Sequence, residues 1–413
     1  MNHVTPIDPE MLARFEQGYD ARPELQVMSN AISRTALPDA AFVPAAAAKL
    51  QMDFSVLVKT NNITNQKQSG RCWMFSTLNV LRQRVIEKCK LEDFSISPTY
   101  LAFYDKLEKA NLFFENIIHF AGQELDDRET YTLLGNPLPD GGQWDMAASL
   151  IKKYGVVPSW VMPETVHSTG TAKYLPILNR KLREDALELR KLVREGKDPS
   201  ARREEMLAEI YNALRILYGQ PPKTFDFEYT DTDKVYHCDR GLTPKSFLEK
   251  YVGNDFDEYI AIISSPIHEV NRTYCQPFMG DMVEENMFWL NVSQEELENL
   301  TIRQLQAGEG VMFSCDCHPD GDRANGYWDP DCFQYGEVLG GLTFNMTKAE
   351  RMMTRESTMN HCMMFCGVNL DENGTANRWK IENSWGEASG QKGYYIGSEK
   401  WFKANVYQVT VRK

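Results

Sequence analysis

The sequence lacks the features of exported, membrane-bound and repetitive proteins. No stretch approaches the roughly 18 apolar residues of a membrane span, and the N-terminus shows no basic start followed by an apolar run. Tandem repeats and low-complexity segments are also missing. We therefore expect a soluble, cytoplasmic protein with no membrane partner.

Regular cysteine spacing and excess positive charge are missing as well. The nine cysteines form no framework, so in a chain of 413 residues we expect free thiols in a reducing compartment. The 45 basic residues are outnumbered by 58 acidic ones, and the net charge of −13 repels phosphate backbones. Nucleic acid is therefore not an expected partner.

The chain is longer than one hydrophobic core usually supports, which predicts two lobes or a core with a large insertion. We divide it into an N-terminal arm (1–60), a helical lobe (61–165), a helical hairpin insertion (166–225) and a mainly β lobe (226–413). The predicted fold class is α+β.

A largely buried helix is predicted over residues 72–88. Met74, Leu78, Leu81 and Val85 recur at helical spacing, and Ser69-Gly70 suits a turn into the helix start. Cys72 is therefore expected in the first helical turn. A second helix is predicted over 145–155.

Two strongly helical runs between 172 and 218 are split by the breaker GKDP, which predicts a helical hairpin. Its apolar stripes require a common partner surface. The excess of basic residues in 173–203 is interpreted as a solvated helical face. Beyond about residue 225 the pattern changes to strands, among them HCMMFCGVNL (361–370) and RWKIEN (378–383).

Three of these elements carry residues suited to nucleophilic catalysis. A helix start favours the thiolate form of Cys72, because its N–H groups and dipole stabilise negative charge. His361, at the start of a strand, offers a base. Asn383 offers an amide that can fix the tautomer of an imidazole, and Trp385 is placed to shield that hydrogen bond from water. Each residue alone has an ordinary structural explanation.

Together the stretches QKQSGRCW, NHCMMF and ENSWG resemble the Gln, Cys, His, Asn order of papain-like cysteine peptidases. TNQKQSGRCWMF, GGQWDMAASLIKKYGVVP, NRKLREDALELRKL and WKIENSWGE are similar to segments of the bleomycin hydrolase and aminopeptidase C group. The resemblance implies a papain-like two-lobed fold with helical insertions. Its helical lobe would carry the cysteine on a central helix, and its β-barrel-like lobe the histidine and asparagine.

The resemblance also implies roles for individual residues. Cys72 would attack the scissile carbonyl, His361 would hold and return the proton, and Asn383 would orient the ring. Gln66 would donate to the oxyanion, and Gly141 and Gly142 would line the substrate cleft.

The implied activity is that of a cytosolic cysteine peptidase that removes N-terminal residues from peptides through a thioester. No cofactor or metal is expected: Cys315, Cys317, His318 and Cys332 lack the spacing of a structural zinc site, and the loop they share fits no calcium motif. The family further implies a homohexamer.

The chain departs from the group in three respects. Cys72 and His361 lie 361 − 72 = 289 residues apart, against about 130 to 150 in compact relatives, which fits insertions. Cys362 stands where alanine is expected, and this second thiol near the site is oxidisable. The C-terminal arm expected beyond Lys413 is missing from the sequence. Two alternatives therefore stay open, an endopeptidase of the same group and a ring-forming scaffold with a vestigial site.

Overall fold

The computed structural model describes residues 5–275, 278, 280–283 and 287–413. Its helices are α1 (Pro9–Asp20), α2 (Pro23–Ile32), α3 (Leu37–Ala41), α4 (Pro44–Ala47), α5 (Cys72–Cys89), α6 (Pro98–His119), α7 (Arg128–Gly135), α8 (Trp144–Tyr154), α9 (Leu175–Arg194), α10 (Ser200–Tyr218), α11 (Pro244–Phe247), α12 (Gln294–Gln306), α13 (Tyr335–Val338), α14 (Lys348–Met353) and α15 (Glu399–Asn405). Within the described residues, none of these helices combines the length and the apolar character needed to cross a membrane.

The strands are β1 (Val56–Leu57), β2 (Phe225–Thr230), β3 (Tyr236–Leu242), β4 (Tyr259–Ile263), β5 (Arg272–Cys275), β6 (Phe288–Asn291), β7 (Val311–Cys315), β8 (Gly321–Asp322), β9 (Tyr327–Trp328), β10 (His361–Leu370), β11 (Ala376–Glu382), β12 (Tyr394–Ser398) and β13 (Val406–Arg412). One sheet has the order β5-β6-β4-β13-β7-β10-β11-β12-β9-β8, with β1 added on β10, while β2 and β3 form a hairpin. The predicted α+β class is confirmed.

Helix α5 is the central element of the fold. It packs against α6 and α8 on one side and against β7 and β10 on the other. Most of its side chains are buried, as the sequence pattern predicts, and Lys90 ends it in a left-handed conformation at φ 50°. The helix start that carries Cys72 therefore lies where the helical and β portions meet.

Strands β10 and β11 bring two distant residues together. They pair antiparallel, with Met364 opposite Glu382. The start of β10 therefore lies beside the end of β11. His361 opens β10 and Asn383 directly follows β11, so the register alone places the imidazole next to the amide.

The helical hairpin predicted between 172 and 218 is confirmed as α9 and α10, and the partner of its apolar stripes is α6. For Arg190 the prediction of a solvated face is wrong. This side chain is buried and donates to the carbonyl oxygen of Phe120 at 2.9 Å, while Arg194 donates to that of Ala121 at 2.8 Å. These arginines therefore bind the backbone carbonyls that directly follow the C-terminus of α6.

The N-terminal segment packs against the sheet portion. Ala47 and Leu50 form a small apolar cluster with Cys332 and Ile396, and β1 pairs with β10. Helix α1, by contrast, buries none of its residues. The division of the chain at residues 60, 165 and 225 stays a prediction.

Candidate active site

A cleft of about 800 Å³ separates the helical side from the sheet side. Gln66, Cys72, Gly141 and Gly142 line it from the helical side, and His361 lines it from the sheet side. Its remaining wall is rich in apolar side chains, such as those of Leu112, Phe113, Met146, Phe278 and Met287. The cleft therefore brings together five of the seven site residues predicted from the sequence.

The other two predicted residues lie behind His361. Its Nε2 is 2.9 Å from Oδ1 of Asn383, which is fully buried. The ring of Trp385 stacks on the imidazole with ring centroids 4.7 Å apart. The Arg323 guanidinium also lies over this indole, with its Cζ 4.5 Å from the ring centroid. The Asn383 oxygen also accepts from the Ser384 N–H at 2.8 Å, so its orientation is determined from two directions.

The Gln66 side chain is held at both ends of its amide. Its Oε1 accepts from the Ser384 hydroxyl at 2.7 Å, and its Nε2 donates to the carbonyl oxygen of Ser69 at 2.6 Å. A primary amide has two N–H donors, and the bond to Ser69 uses only one of them. Because Gln66 lines the cleft, this second donor is available there.

The loop that precedes Cys72 is tied to the glycine segment by Asp140. The Asp140 carboxylate accepts from the Gly70 N–H and from the Thr171 hydroxyl, and it pairs with Lys106 at 3.0 Å. The Lys106 charge, the Thr171 hydroxyl and the Gly70 N–H hold the pKa of Asp140 below its ordinary value, although burial acts in the opposite direction. The segment next to Gly141 is therefore fixed relative to the helix start.

The two glycines have different surroundings. A Cβ added at Gly142 would lie 2.5 Å from Trp73, whose indole is fully buried, whereas one added at Gly141 would meet nothing within 4 Å. Close packing therefore requires glycine at position 142. At position 141 the missing side chain leaves the cleft open.

Arg71 had no specific role in the sequence interpretation, and its contacts now supply one. Its guanidinium is buried, donates to the Ser69 hydroxyl at 2.9 Å and pairs with Glu164 at 3.1 Å. The group also lies over the Phe75 ring. Arg71 therefore links the loop before Cys72 to Glu164 and stabilises the position of that loop.

The electrostatics of Cys72 depend on two neighbours from β10. Its pKa lies well below the ordinary value, chiefly because the Cys362 thiol donates a hydrogen bond to the sulfur. Burial opposes this shift, whereas the charge of His361 and a hydrogen bond from it act in the same direction. The same hydrogen bond and burial raise the pKa of Cys362 well above its usual range. Cys72 is thus the more acidic thiol of the pair, and Cys362 is the less acidic one.

Three residues of this site received no role from the sequence. Ser384 lies within the ENSWG stretch, but a single serine beside an asparagine gives no signal of a bond to Gln66, which is 318 residues away. Asp140 precedes two glycines and so resembles an ordinary turn residue. Cys362 was noted as oxidisable, yet its place in the same cleft as Cys72 depends on the packing of α5 against β10.

Comparison with known proteins agrees with this geometry. The model of the peptidase C1-like family matches residues 6–413. Aminopeptidase G of Lactobacillus delbrueckii subsp. lactis is 43% identical over 408 residues, which cover 97% of this chain and 92% of that protein. Aminopeptidase C of Listeria innocua is 41% identical over 412 residues, covering 99% and 93%.

A solved structure extends the similarity to three dimensions. The crystal structure of PepW from Lactobacillus rhamnosis superimposes with a TM-score of 0.97 at 41% identity and covers 99% of this chain and 93% of that one. The resemblance to the aminopeptidase C group and the expected papain-like fold are thereby confirmed. The chain belongs to the peptidase C1-like family, whose members are cysteine peptidases.

Proposed function

We propose that this protein is a cysteine aminopeptidase that hydrolyses peptides through a thioester on Cys72. One observation carries the assignment: a single cleft holds the low-pKa thiol of Cys72, the imidazole of His361 and the amide of Gln66. The names of the relatives, all aminopeptidases, support the reaction class.

In the acylation step, the Cys72 thiolate attacks the carbonyl carbon of the scissile bond. The carbonyl oxygen gains negative charge, which the free N–H of Gln66 and the backbone N–H of Cys72 stabilise. His361 then delivers its proton to the leaving amine. Asn383 accepts from the Nε2–H of His361 and keeps the other ring nitrogen directed at the sulfur.

In the deacylation step, neutral His361 takes a proton from water, and the resulting hydroxide attacks the thioester carbonyl. The oxyanion forms again between Gln66 and Cys72 and collapses with release of the Cys72 thiolate. The stacked indole of Trp385 shields the His361–Asn383 hydrogen bond from water during both steps.

Replacement of the nucleophile tests this assignment. We expect Cys72→Ala to abolish hydrolysis of aminoacyl fluorogenic amides, while Cys89→Ala, at the opposite end of the same helix, stays active. Wild-type protein should also be alkylated first at Cys72 at neutral pH. Persistent hydrolysis by Cys72→Ala would refute the assignment, and equal alkylation of all nine thiols would favour a vestigial site.

The requirement for a free amino terminus is tested separately. One peptide is prepared with a free and with an acetylated N-terminus, and kcat/KM is measured for both forms. An aminopeptidase cleaves the free form and leaves the blocked one intact. Internal cleavage of the blocked peptide at a similar rate would assign endopeptidase activity instead.

We also propose that the protein is cytosolic and homo-oligomeric, with the hexamer that the family resemblance implies. All nine cysteines are free, which suits a reducing compartment. On α1, Leu12, Phe15 and Tyr19 form an exposed apolar stripe at helical spacing, and a helix of this kind requires a partner surface. A second copy of the chain is the partner we propose.

A further inference from the structure

Two thiols from different parts of the fold meet in the cleft. Cys72 begins α5, and Cys362 follows His361 on β10. Both side chains line the cleft and are more than nine-tenths buried. Cys362 lies opposite Ser314 on β7, and the Ser314 hydroxyl is 3.2 Å from its sulfur. The position of the second thiol is therefore fixed by the sheet.

The two thiols line the same cleft where α5 packs against β10, and they differ in acidity. The Cys362 thiol donates a hydrogen bond to the Cys72 thiolate. A thiolate is the form that attacks peroxides, so Cys72 is the site of first oxidation. Because both thiols line one cleft, a disulfide requires their sulfurs to approach to about 2.05 Å within it.

We propose that Cys72 and Cys362 form a reversible disulfide when a peroxide oxidises the nucleophile. The cleft thus contains a modification site in which the second thiol rescues the first from irreversible oxidation. The proposal rests on the proposed function only for its activity measurement, because the disulfide itself is detected chemically.

The first step is attack of the Cys72 thiolate on one peroxide oxygen. The O–O bond breaks, an S–O bond forms, and the leaving oxygen takes a proton from protonated His361. Cys72 is then a neutral sulfenic acid. The hydrogen bond to Cys72 is the first cause of the raised pKa of Cys362, followed by burial and by the Cys72 charge, and oxidation removes that hydrogen bond and that charge.

In the second step the Cys362 sulfur attacks the sulfenic sulfur. An S–S bond forms, the S–O bond breaks, and the thiol proton leaves with the hydroxide as water. The pair has lost two electrons to the peroxide. A dithiol reductant restores both thiols by exchange, since the disulfide opens into the same cleft.

Two other cysteines lie within electrostatic reach of Cys72 but are less suitable partners. The Cys72 charge contributes to the raised pKa of Cys315 and of Cys317, after the larger effect of burial. Neither residue lines the cleft, and no hydrogen bond to Cys72 contributes to either shift. Cys362 is therefore the resolving thiol.

The test compares wild-type protein with Cys362→Ala. Cys366→Ala serves as the matched control, because Cys366 is a buried thiol on the same strand that does not line the cleft. Each protein is treated with hydrogen peroxide and then with dithiothreitol. Intact mass and a non-reducing peptide map are recorded, and hydrolysis is measured relative to the same protein before oxidation.

Wild-type protein and Cys366→Ala should lose two hydrogens in mass, contain a Cys72–Cys362 bridge and regain nearly all activity on reduction. Cys362→Ala should gain two oxygens at Cys72 and stay inactive. A wild-type sulfinic acid at Cys72, a bridge to Cys315 or Cys317, or equal recovery of Cys362→Ala would overturn the proposal. The peptide map of the wild type detects the disulfide without any activity measurement. It therefore tests the disulfide proposal even if Cys72 is not the catalytic nucleophile.

Discussion

At the scale of single residues, Gln66 shows how a side chain is prepared for one contact. The Ser384 hydroxyl and the Ser69 carbonyl occupy one acceptor and one donor of its amide. The remaining N–H needs no rearrangement to meet an oxyanion in the cleft. Such preorganised donors act mainly on the transition state, so their loss is expected in kcat and not in KM.

Replacement of Gln66 therefore tests the oxyanion role. We expect Gln66→Ala to lower kcat by roughly a hundredfold or more with a small change in KM. Gln66→Glu preserves the shape and an acceptor for Ser384 but loses the donor, so it should be equally impaired. Steady-state kinetics on an aminoacyl amide measure both. A Gln66→Glu enzyme with wild-type kcat would contradict the donor role.

The contact of Cys362 with Cys72 leads to a prediction about pH dependence. A lowered pKa means that the thiolate forms at lower pH, so the acid limb of the kcat/KM profile reports it. Removal of the leading hydrogen-bond donor in Cys362→Ala should move this limb to higher pH, whereas Cys366→Ala should leave it in place. A superimposable profile for Cys362→Ala would show that the thiol does not tune Cys72.

At the residue scale the sequence named seven candidate site residues but not the residues that support them. Cys72, His361 and Asn383 were predicted as candidates because a helix start, a strand start and an alternating strand give local signals. Asp140 and Ser384 have no local signal, since a turn aspartate and a loop serine are common in any protein. Their importance arises from partners far away along the chain.

At the scale of elements, the loop that contains Gly141 and Gly142 packs against α5 through the contact of Gly142 with Trp73. A Cβ at this position would lie 2.5 Å from the buried Trp73 indole. We expect Gly142→Ala to lower the free energy of unfolding by about 1 to 3 kcal/mol, because the indole has no space to move. Thermal unfolding measures this effect.

Gly141→Ala is the matched control for that change. Its Cβ meets no atom within 4 Å, so the melting temperature should stay close to that of the wild type. The added methyl group enters the cleft, and we expect it to raise KM for peptides. Equal stabilities of Gly141→Ala and Gly142→Ala would contradict the packing argument.

The tether formed by Asp140 makes a second element-scale prediction. Its folded-state pKa lies below the ordinary value of 3.8, so its stabilisation is present above that value and is lost as the pH falls toward the folded-state pKa. Asp140→Asn removes a charged partner from buried Lys106 and should cost about 3 kcal/mol at neutral pH.

Chemical denaturation at several pH values checks this prediction. The difference in unfolding free energy between wild type and Asp140→Asn should be largest near neutrality. It should shrink below about pH 4, where Asp140 of the unfolded chain takes up protons while the folded-state carboxylate stays ionised. Asp126→Asn changes an exposed aspartate and should behave like the wild type. A difference that is independent of pH would exclude the ionised tether.

At the scale of the whole molecule, the open question is assembly. We expect light scattering on the intact protein to give the mass of a hexamer. Joint replacement of Leu12, Phe15 and Tyr19 by serine should shift the protein to smaller species, because it removes the apolar stripe of α1. Gln17→Ser, on the same helix, should not. A monomeric wild type, or no effect of the triple replacement, would contradict the proposed interface.

The sequence by itself determined the types of elements and the identity of the chemical groups. Hydrophobic spacing predicted α5, the hairpin α9–α10 and the strands. The reason is that burial of one face of a helix or strand requires apolar residues at a fixed period, which is visible in a short stretch of sequence. Cys72, His361 and Asn383 stand at the ends of such elements, whereas Gln66, Gly141 and Gly142 were named from the resemblance to papain-like peptidases.

Only the tertiary structure decided which groups meet. The pairing of β10 with β11 places His361 beside Asn383, and the packing of α5 on β10 brings Cys362 and Cys72 to the same cleft. Arg71 likewise acquires its function from Glu164, which lies 93 residues away. Contacts of this kind depend on register and packing across the whole chain, and neither property can be read from the residues on one side of the contact alone.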